Sequence, residues 1–256
     1  MTKDMTEGNP LQHILQFSIP LIFGNLFQQM YNMADTVIVG QTLGLNALTA
    51  VGATNSVNFL IIGFTTGTCT GLAIPVAQKF GARDYRGMRQ FTANAAYLAI
   101  ALAILLTLST TVFCDAILRG MNTPANIFQD SYAYFFVICL GIPFTLLYNT
   151  ASGIIRAMGD SKTPFYFLVV SALLNIVLDL AFILIFHMGV AGAAWATILS
   201  QGVSGVACLI YMRKKYEILR MDREERRFSA ACQKILLVDS IPMGLQFSIT
   251  AIGSIM

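Results

Sequence analysis

Two carboxylates, one amide and one hydroxyl are the residues of this sequence whose type and spacing could do chemistry. Asp35 and Asp179 lie well inside long apolar runs, where an ionisable side chain is energetically costly and usually functional. Asn175 precedes Asp179 by four residues, so the two share one face of a helix. Thr197 lies in the next apolar run. Carboxylate, amide and hydroxyl oxygens suit a small cation or a transferable proton.

These residues also match in their depth within the membrane, which follows from a helical rise of about 1.5 Å per residue. Asp35 lies roughly 8–14 Å below the outer end of the first run, depending on where that helix stops. Asp179 and Thr197 each lie roughly 12 Å below the outer surface. The group therefore falls in the outer half of the membrane and is predicted to form a cation or proton site. The alternative is that these side chains only hydrogen-bond one helix to another.

The elements that position these residues are predicted to be spanning helices. The chain is 56% hydrophobic and 11% charged, whereas about 25% of the residues of a soluble domain are charged. Its apolar runs reach the roughly 20 residues that a spanning helix needs. The first run follows a mixed-charge start and contains Pro20 and Asp35, so it is not a cleavable signal peptide. The sequence predicts an all-α membrane protein with spans at 14–39, 45–77, 90–113, 131–155, 163–187, 190–212 and 234–256.

The distribution of basic residues predicts the orientation of the chain. Of its 16 Lys and Arg residues, all but Arg119 fall at the N-terminus or in the loops after the second, fourth and sixth spans. Cytoplasmic loops carry an excess of these residues, so a multi-pass protein of the cytoplasmic (inner) membrane with a cytoplasmic N-terminus is expected. The basic run 213–227 is then a juxtamembrane topology signal, and no nucleic-acid partner is expected.

A short repeat predicts the domain organisation. The tripeptide Ser-Ile-Pro at 240–242 repeats the one at 18–20, after six spans and hence from the same side of the membrane. That pattern is typical of parallel repeats related by an axis along the membrane normal. We expect a parent of two six-helix halves, with an N-terminal lobe at 1–212, a basic cytoplasmic linker at 213–233 and the first helix of a truncated C-terminal lobe at 234–256. The missing lobe of the same chain is then a partner of this one.

Two further features of the runs concern helix packing. Gly63, Gly67 and Gly71 recur at four-residue spacing, which predicts a glycine stripe used for close helix packing. Pro20 removes one backbone hydrogen bond from the first helix. Such a break permits bending during function and is equally compatible with a static kink.

Other kinds of chemistry find no support in the sequence. The five cysteines show no CxxC pair and no His partner at metal-ligand spacing, which favours small buried hydrophobes over a redox or metal role. No HExxH or GxSxG motif is present, so the protein is not expected to be an enzyme. Asp115 and Asp239 lie near helix ends, where a solvated carboxylate is expected.

Polar residues on otherwise apolar helices indicate a wet central cavity. They are Gln28, Tyr31, Asn32, Asn149 and Ser152. No Lys or Arg is evident within the spans, so an anionic substrate would lack its counter-charges. Acids, amides and aromatic rings suit a hydrophobic cation better, in part through cation–π contact.

Segments spread over the whole chain resemble the multidrug and toxic compound extrusion (MATE) family of antiporters. They are Ser18-Ile19-Pro20, Gln28-Gln29-Met30-Tyr31-Asn32-Met33-Ala34-Asp35-Thr36 ending at Gly40, Gln78-Lys79-Phe80-Gly81-Ala82-Arg83-Asp84, Asn149 through Arg156-Ala157-Met158-Gly159-Asp160, and Asn175-Ile176-Val177-Leu178-Asp179. The resemblance implies twelve helices in two six-helix lobes, of which this chain is the N-terminal half plus a seventh helix.

The same resemblance implies an activity and a set of site residues. The activity is outward transport of drugs or metabolites, driven by inward Na⁺ or H⁺ as the coupling ion and without another cofactor. The implied cation site, which would also hold the metal ion if the transporter is sodium-coupled, comprises Asp35, Asn175, Asp179 and Thr197. The residues implied to lie nearer the substrate are Gln28, Tyr31 and Asn149.

The implied partners are the lipid bilayer and a small molecule, an organic cation. A flippase for a lipid-linked saccharide, from the same superfamily, is the alternative function, and the lack of basic residues in the cavity disfavours it. The chain departs from the family in length. Without a second lobe it should not enclose a complete pathway.

Overall fold

The computed structural model describes residues 10–253, with side chains over 11–249. Lys3 and the end of the predicted seventh span, 254–256, lie outside these residues. Over the described range the chain is helical and contains no strand. The helices are α1 (Pro10–Leu43), α2 (Leu45–Gly81), α3 (Tyr85–Val112), α4 (Cys114–Gly120), α5 (Phe128–Leu140), α6 (Ile142–Ala157), α7 (Lys162–Leu180), α8 (Gly189–Lys215) and α9 (Ala230–Gly253).

Each predicted span corresponds to one of these helices or to one pair. The fourth span is the pair α5 and α6, and the fifth is α7 extended by a π-helical turn, Ala181–Ile185. Within the described residues α2, α3, α8 and α7 with its extension are long and apolar enough to cross a membrane, and the pair α5 and α6 adds a fifth. Helix α1 is long enough to cross a membrane, but its glutamines and asparagines make it more polar than these helices. The prediction of an all-α membrane protein is confirmed.

The fourth span is broken in the middle by its sequence. Helices α5 and α6 meet at Gly141 with an angle of 43°. Pro143, at the start of α6, has no N–H to continue the ladder of α5. A Cβ at Gly141 would collide with the side chain of Ile198 on α8. Glycine therefore lets α8 pack into the inside of the bend.

The helices pack around buried hydrophobic clusters. One cluster joins α2, α3, α6 and α9 near the ends that carry the basic loops, through Leu72, Met88, Ile155 and Leu236. A second joins α1, α5, α8 and the π-helical turn near the opposite ends, and a third joins α2, α3, α4, α5 and α6. Large apolar side chains also cover the outside of the bundle, as Ile100 and Ile104 do on α3. That is the arrangement expected where lipid replaces water.

Helix α9 packs lengthwise against α2, and the glycine stripe permits it. A Cβ at Gly67 would collide with the carbonyl oxygen of Met243, and one at Gly71 with the backbone of Ser240. The prediction of close helix packing at this stripe is confirmed. Helix α1 runs unbroken through Pro20.

The segment between α8 and α9 is tied to the start of α3. Helix α8 continues to Lys215 and α9 begins at Ala230, so the connection is shorter than the predicted linker 213–233. Arg89 donates to both carboxylate oxygens of Glu225, at 2.7 and 2.6 Å. Asn94 accepts a hydrogen bond from the backbone N–H of Ser229 at 3.0 Å. These contacts fix the linker against the bundle.

Other predictions about single residues can be compared with the structure. Asp239 was expected near a helix end but lies in the third turn of α9 and is only partly exposed. All five cysteines are buried free thiols, as expected for small hydrophobes. Asp115 is exposed near the start of α4 and pairs with Arg119 one turn later at 2.7 Å, as expected for a carboxylate near a helix end.

Candidate cation site

Helices α1, α7 and α8 bring the four residues of the predicted cation site together. Asp35 comes from α1, Asn175 and Asp179 from successive turns of α7, and Thr197 from the third turn of α8. The side chains of Asn175 and Asp179 are fully buried. Residues 175 and 179 share a helix face, as their spacing predicts, and that face points into the bundle.

Asn175 links two members of the cluster. Its amide is satisfied when the nitrogen faces Asp179, because Nδ2 then donates to Oδ2 of that residue at 3.1 Å. In the same orientation Oδ1 accepts from the backbone N–H of Thr197 at 3.2 Å. Asn175 therefore fixes the Asp179 carboxyl relative to α8.

The two carboxyl groups lie next to each other. Asp35 and Asp179 are within hydrogen-bonding reach of one another. Each still has one buried oxygen, Oδ1, without a hydrogen-bond partner among the described residues, and neither forms an ion pair there. Two desolvated carboxyls in contact cannot both be charged unless a cation lies between them. Without a cation, the pair shares a proton.

Aromatic and apolar side chains close the cluster. The Tyr31 hydroxyl donates to Thr197 Oγ1 at 3.5 Å, so Tyr31 lies beside the carboxyls, although the resemblance placed it nearer the substrate. Tyr134 of α5 is 7% exposed and lies close to Asp35 and Asp179. The sequence analysis did not identify Tyr134. The feature that could have identified it is a polar hydroxyl group within the apolar run 131–155.

The π-helical turn Ala181–Ile185 directly follows the cluster. It begins two residues after Asp179, and the sequence analysis did not predict it. π-Helical turns are rare and occur often at functional sites. Ile183 from this turn packs with Val39 and Ala193, so the turn supplies part of the apolar wall around the carboxyls.

The other two predicted residues lie outside the cluster. Gln28 is exposed on α1, and Asn149 donates to the carbonyl of Thr145 on its own helix at 2.9 Å. No hydrogen bond joins either residue to the cluster within the described range. Arg156, assigned to a loop by the sequence, instead lies partly buried in the last turn of α6, where it donates to Ser152 Oγ at 3.4 Å.

The donor set of the cluster suits a small hard cation or a proton. No group of three His, Cys, Asp or Glu that could hold a metal occurs in the described part of the chain. A cation here would therefore depend on the Asn175, Thr197 and Tyr31 oxygens as well as the two carboxylates. Oxygen ligands of this kind are those that hard cations prefer.

Comparisons with known proteins place the chain in a family. The MatE family model matches residues 20–181. The probable multidrug resistance protein YpnP of Bacillus subtilis is 32% identical over 98% of this chain, and the alignment covers 56% of YpnP. The probable multidrug resistance protein NorM of Thermotoga maritima is 27% identical over 96% of this chain and 53% of NorM.

Solved structures agree with the sequence relatives. An outward-facing multidrug resistance MATE family transporter of the MOP superfamily superposes with a TM-score of 0.87 at 29% identity, over 94% of this chain and 53% of that one. A MOP superfamily transporter from Pyrococcus furiosus, described as having a binding pocket of reverse polarity, gives the same TM-score of 0.87. The chain spans about half the length of the curated relatives it matches. The resemblance drawn from the motifs is confirmed: this chain, a multi-pass membrane protein and not an enzyme, belongs to the MATE family of transporters.

Proposed function

We propose that this chain forms the first half of a cation-coupled antiporter that exports hydrophobic organic cations across the cytoplasmic membrane. Inward movement of Na⁺ or H⁺ drives the export. The observation that carries the proposal is the contact between the Asp35 and Asp179 carboxyls, each with an unpartnered oxygen in a buried cluster. The multidrug resistance names of the relatives support the substrate class.

The residues of the cluster have distinct roles in this proposal. Asp35 and Asp179 hold the coupling cation or proton. Asn175 orients the Asp179 carboxyl through the 3.1 Å hydrogen bond, and Thr197 and Tyr31 contribute hydroxyl oxygens. Because the carboxyls come from different helices, binding of a cation or proton draws α1 towards α7 and α8.

Antiport follows from the reciprocal coupling of two binding events. Binding of one coupling ion reduces the negative charge of the carboxyl pair by one and so weakens its attraction for a cationic substrate. A bound organic cation lowers the affinity for the coupling ion by the same factor. Gln28 and Asn149, which lie away from the cluster, are proposed to contact the substrate in the central cavity.

The organisation and orientation of the whole transporter form part of the proposal. Helices α1–α8 make the N-terminal lobe, the basic segment between α8 and α9 lies in the cytoplasm, and α9 begins a second lobe that completes the pathway. The loops that carry the basic residues then face the cytoplasm, as does the N-terminus. The orientation can be tested with Arg223→Cys and Thr123→Cys in intact cells. A membrane-impermeant maleimide should label the Thr123→Cys variant at the new cysteine and should not label the Arg223→Cys variant there.

The direct test is dye efflux from vesicles that carry the complete natural chain. Wild type should expel a fluorescent cationic dye when a Na⁺ or an H⁺ gradient is imposed, and the gradient that works identifies the coupling ion. Asp35→Asn and Asp179→Asn should each reduce gradient-driven efflux by at least about 10-fold, in line with loss of an essential charged group.

Asp115→Asn is the matched control, because Asp115 is exposed, pairs with Arg119 and lies outside the cluster. This variant should transport like wild type. If both cluster variants transport normally, the carboxyl pair does not couple transport and the proposal is wrong. If wild type responds to neither gradient, the antiport mechanism is wrong.

A further inference from the structure

A large groove on the bundle lies apart from the carboxyl cluster. It has a volume of about 1120 Å³ and runs between α3 and α6, with the end of α8 and the linker at one end. None of the cluster residues lines it. It exceeds the roughly 300–1,000 Å³ of most small-molecule pockets. Exposed Ile100 and Ile104 on α3 form its rim, so it opens on the outer surface of the described helices.

Small residues on α3 create the floor of the groove. Ala93, Ala99 and Ala103 are buried there, and Ala96 is exposed at its edge. The groove follows α3 from Thr92 to Leu108, which at about 1.5 Å per residue is roughly 24 Å. Half of the hydrocarbon core of a bilayer is about 15 Å thick. The groove therefore has the length to take an acyl chain through one leaflet.

The linker end of the groove has a single sign of charge. Arg213, Arg220 and Arg226 line it, and none of the described lining residues is acidic. Arg213 and Arg226 form no ion pair within the described part of the chain. Arg220 has a carboxylate neighbour in Glu217 at 3.5 Å, but both side chains are largely exposed, so this pair binds weakly. The three guanidinium groups are thus available to an anion.

The position of the arginines along the groove is fixed by the fold. The Tyr97 hydroxyl donates to the carbonyl oxygen of Arg226 at 2.8 Å, which ties the linker to the side of α3. Tyr216 also lines this end. Tyrosines are enriched where the apolar core of a membrane meets its headgroups. The arginines therefore lie at headgroup level and the alanine floor at acyl-chain level.

We infer that this groove is a binding site for an anionic phospholipid of the leaflet that the basic loops face. Arg213, Arg220 and Arg226 bind the lipid phosphate, and an acyl chain lies along the alanines of α3. Basic pockets between spanning helices are suited to such headgroups. A soluble anion would leave the apolar length of the groove unfilled, and an uncharged lipid would leave the three arginines without a counter-charge.

Lipid retention during purification tests the site directly. The complete natural chain is reconstituted with equal amounts of phosphatidylglycerol and phosphatidylcholine, and the bound lipid is measured by native mass spectrometry. Wild type should retain phosphatidylglycerol in clear preference. Changing Arg213, Arg220 and Arg226 together to Gln should weaken this retention by roughly 100-fold, from the usual contribution of each basic residue near a charged lipid.

A second triple variant controls for general attraction to the basic linker. Changing Lys214, Arg223 and Arg227 together to Gln removes the same charge from neighbouring residues that do not line the groove. This control should reduce retention much less than the groove variant does, because it leaves the three contacts to the headgroup intact. Equal losses in the two triple variants would show attraction to the basic surface alone and would overturn the inference.

A third variant tests the apolar part of the groove. Ala96→Trp places a large side chain at the exposed edge while leaving all three arginines in place. It should reduce phosphatidylglycerol retention as strongly as loss of the arginines. Normal retention in this variant would contradict an acyl chain in the groove, as would equal retention of both lipids by wild type. Because the readout is bound lipid, the result is independent of whether the protein transports a drug.

Discussion

Two polar regions of the bundle differ in whether their charges are satisfied. The α9 attachment consists of the Arg89–Glu225 pair, the contacts of Asn94 with the linker and α9, and the glycine stripe of α2. There Arg89 meets both oxygens of Glu225, and Asn94 bonds with both Ser229 and Gln233. The cluster of Asp35, Asn175, Asp179 and Thr197 instead contains two carboxyls in contact, and no described residue gives them a basic partner.

The difference distinguishes charged groups that hold the fold together from charged groups that bind an ion or a proton. Opposite charges that satisfy each other hold two segments together. Like charges buried next to each other destabilise the fold. Such pairs usually have a function, in which a bound ligand or proton removes the repulsion. Loss of a charge should therefore destabilise the attachment, while the same change in the cluster should leave the fold intact. The following predictions test that contrast on the complete natural chain.

The largest loss of stability is expected from Arg89→Ala. Glu225 has a side chain that is only 5% exposed, and the variant leaves its carboxylate without the bidentate partner. Breaking a buried pair of this kind should cost about 3 kcal/mol. The measurement is the free energy of unfolding in mixed micelles. Arg86→Ala is the control, because Arg86 and Glu224 are both 72% exposed, and it should cost less than about 1 kcal/mol.

A somewhat smaller loss is expected from Gly67→Leu. The new side chain collides with the carbonyl of Met243, so α9 must move away from α2, at a cost of about 2 kcal/mol. Gly52→Leu is the control, because nothing lies within 4 Å of a Cβ there. A glycine-to-leucine change in a helix raises helix propensity, so equal loss of unfolding free energy in the two variants would show that the effect does not come from the contact with α9.

The stabilisation by the Arg89–Glu225 pair should depend on pH. Hydrogen bonds from Arg89 lower the pKa of Glu225 below its ordinary value of 4.5. The unfolded chain therefore takes up the proton first as the pH falls. Stabilisation by this group is complete above about pH 5 and is lost as the pH falls from there through the folded pKa. The Tm of wild type should exceed that of Glu225→Gln at pH 7, and the difference should shrink below pH 4.5.

The long helices could be predicted from the sequence because lipid exposure leaves continuous apolar runs. The break at Gly141 could not, since the apolar run 131–155 continues across it and the bend depends on Ile198 of a distant helix. The end of α8 and the start of α9 could not be predicted either. The structure continues α8 through Arg213 and Lys215. Basic residues of this kind occur both in the last turn of a helix and in a loop, so the sequence does not show where the helix ends.

The candidate site could be predicted in part because charge inside an apolar run is rare. Asp35, Asp179 and Asn175 stand out by type and depth. Tyr134 does not, since tyrosine is common in spanning helices and its proximity to the carboxyls depends on how α5 packs.

The smallest change in stability is expected from Asp179→Asn, although it should abolish coupling. Asp179 is fully buried and in contact with Asp35, so removing its charge relieves a repulsion, while the new amide keeps the shape of the side chain. The unfolding free energy should stay within about 1 kcal/mol of wild type or rise. The measurement is unfolding in the same micelles used for Arg89→Ala, paired with gradient-driven efflux. A loss as large as that of Arg89→Ala would mean that the carboxyl pair holds the helices together and that the contrast between the two regions is wrong.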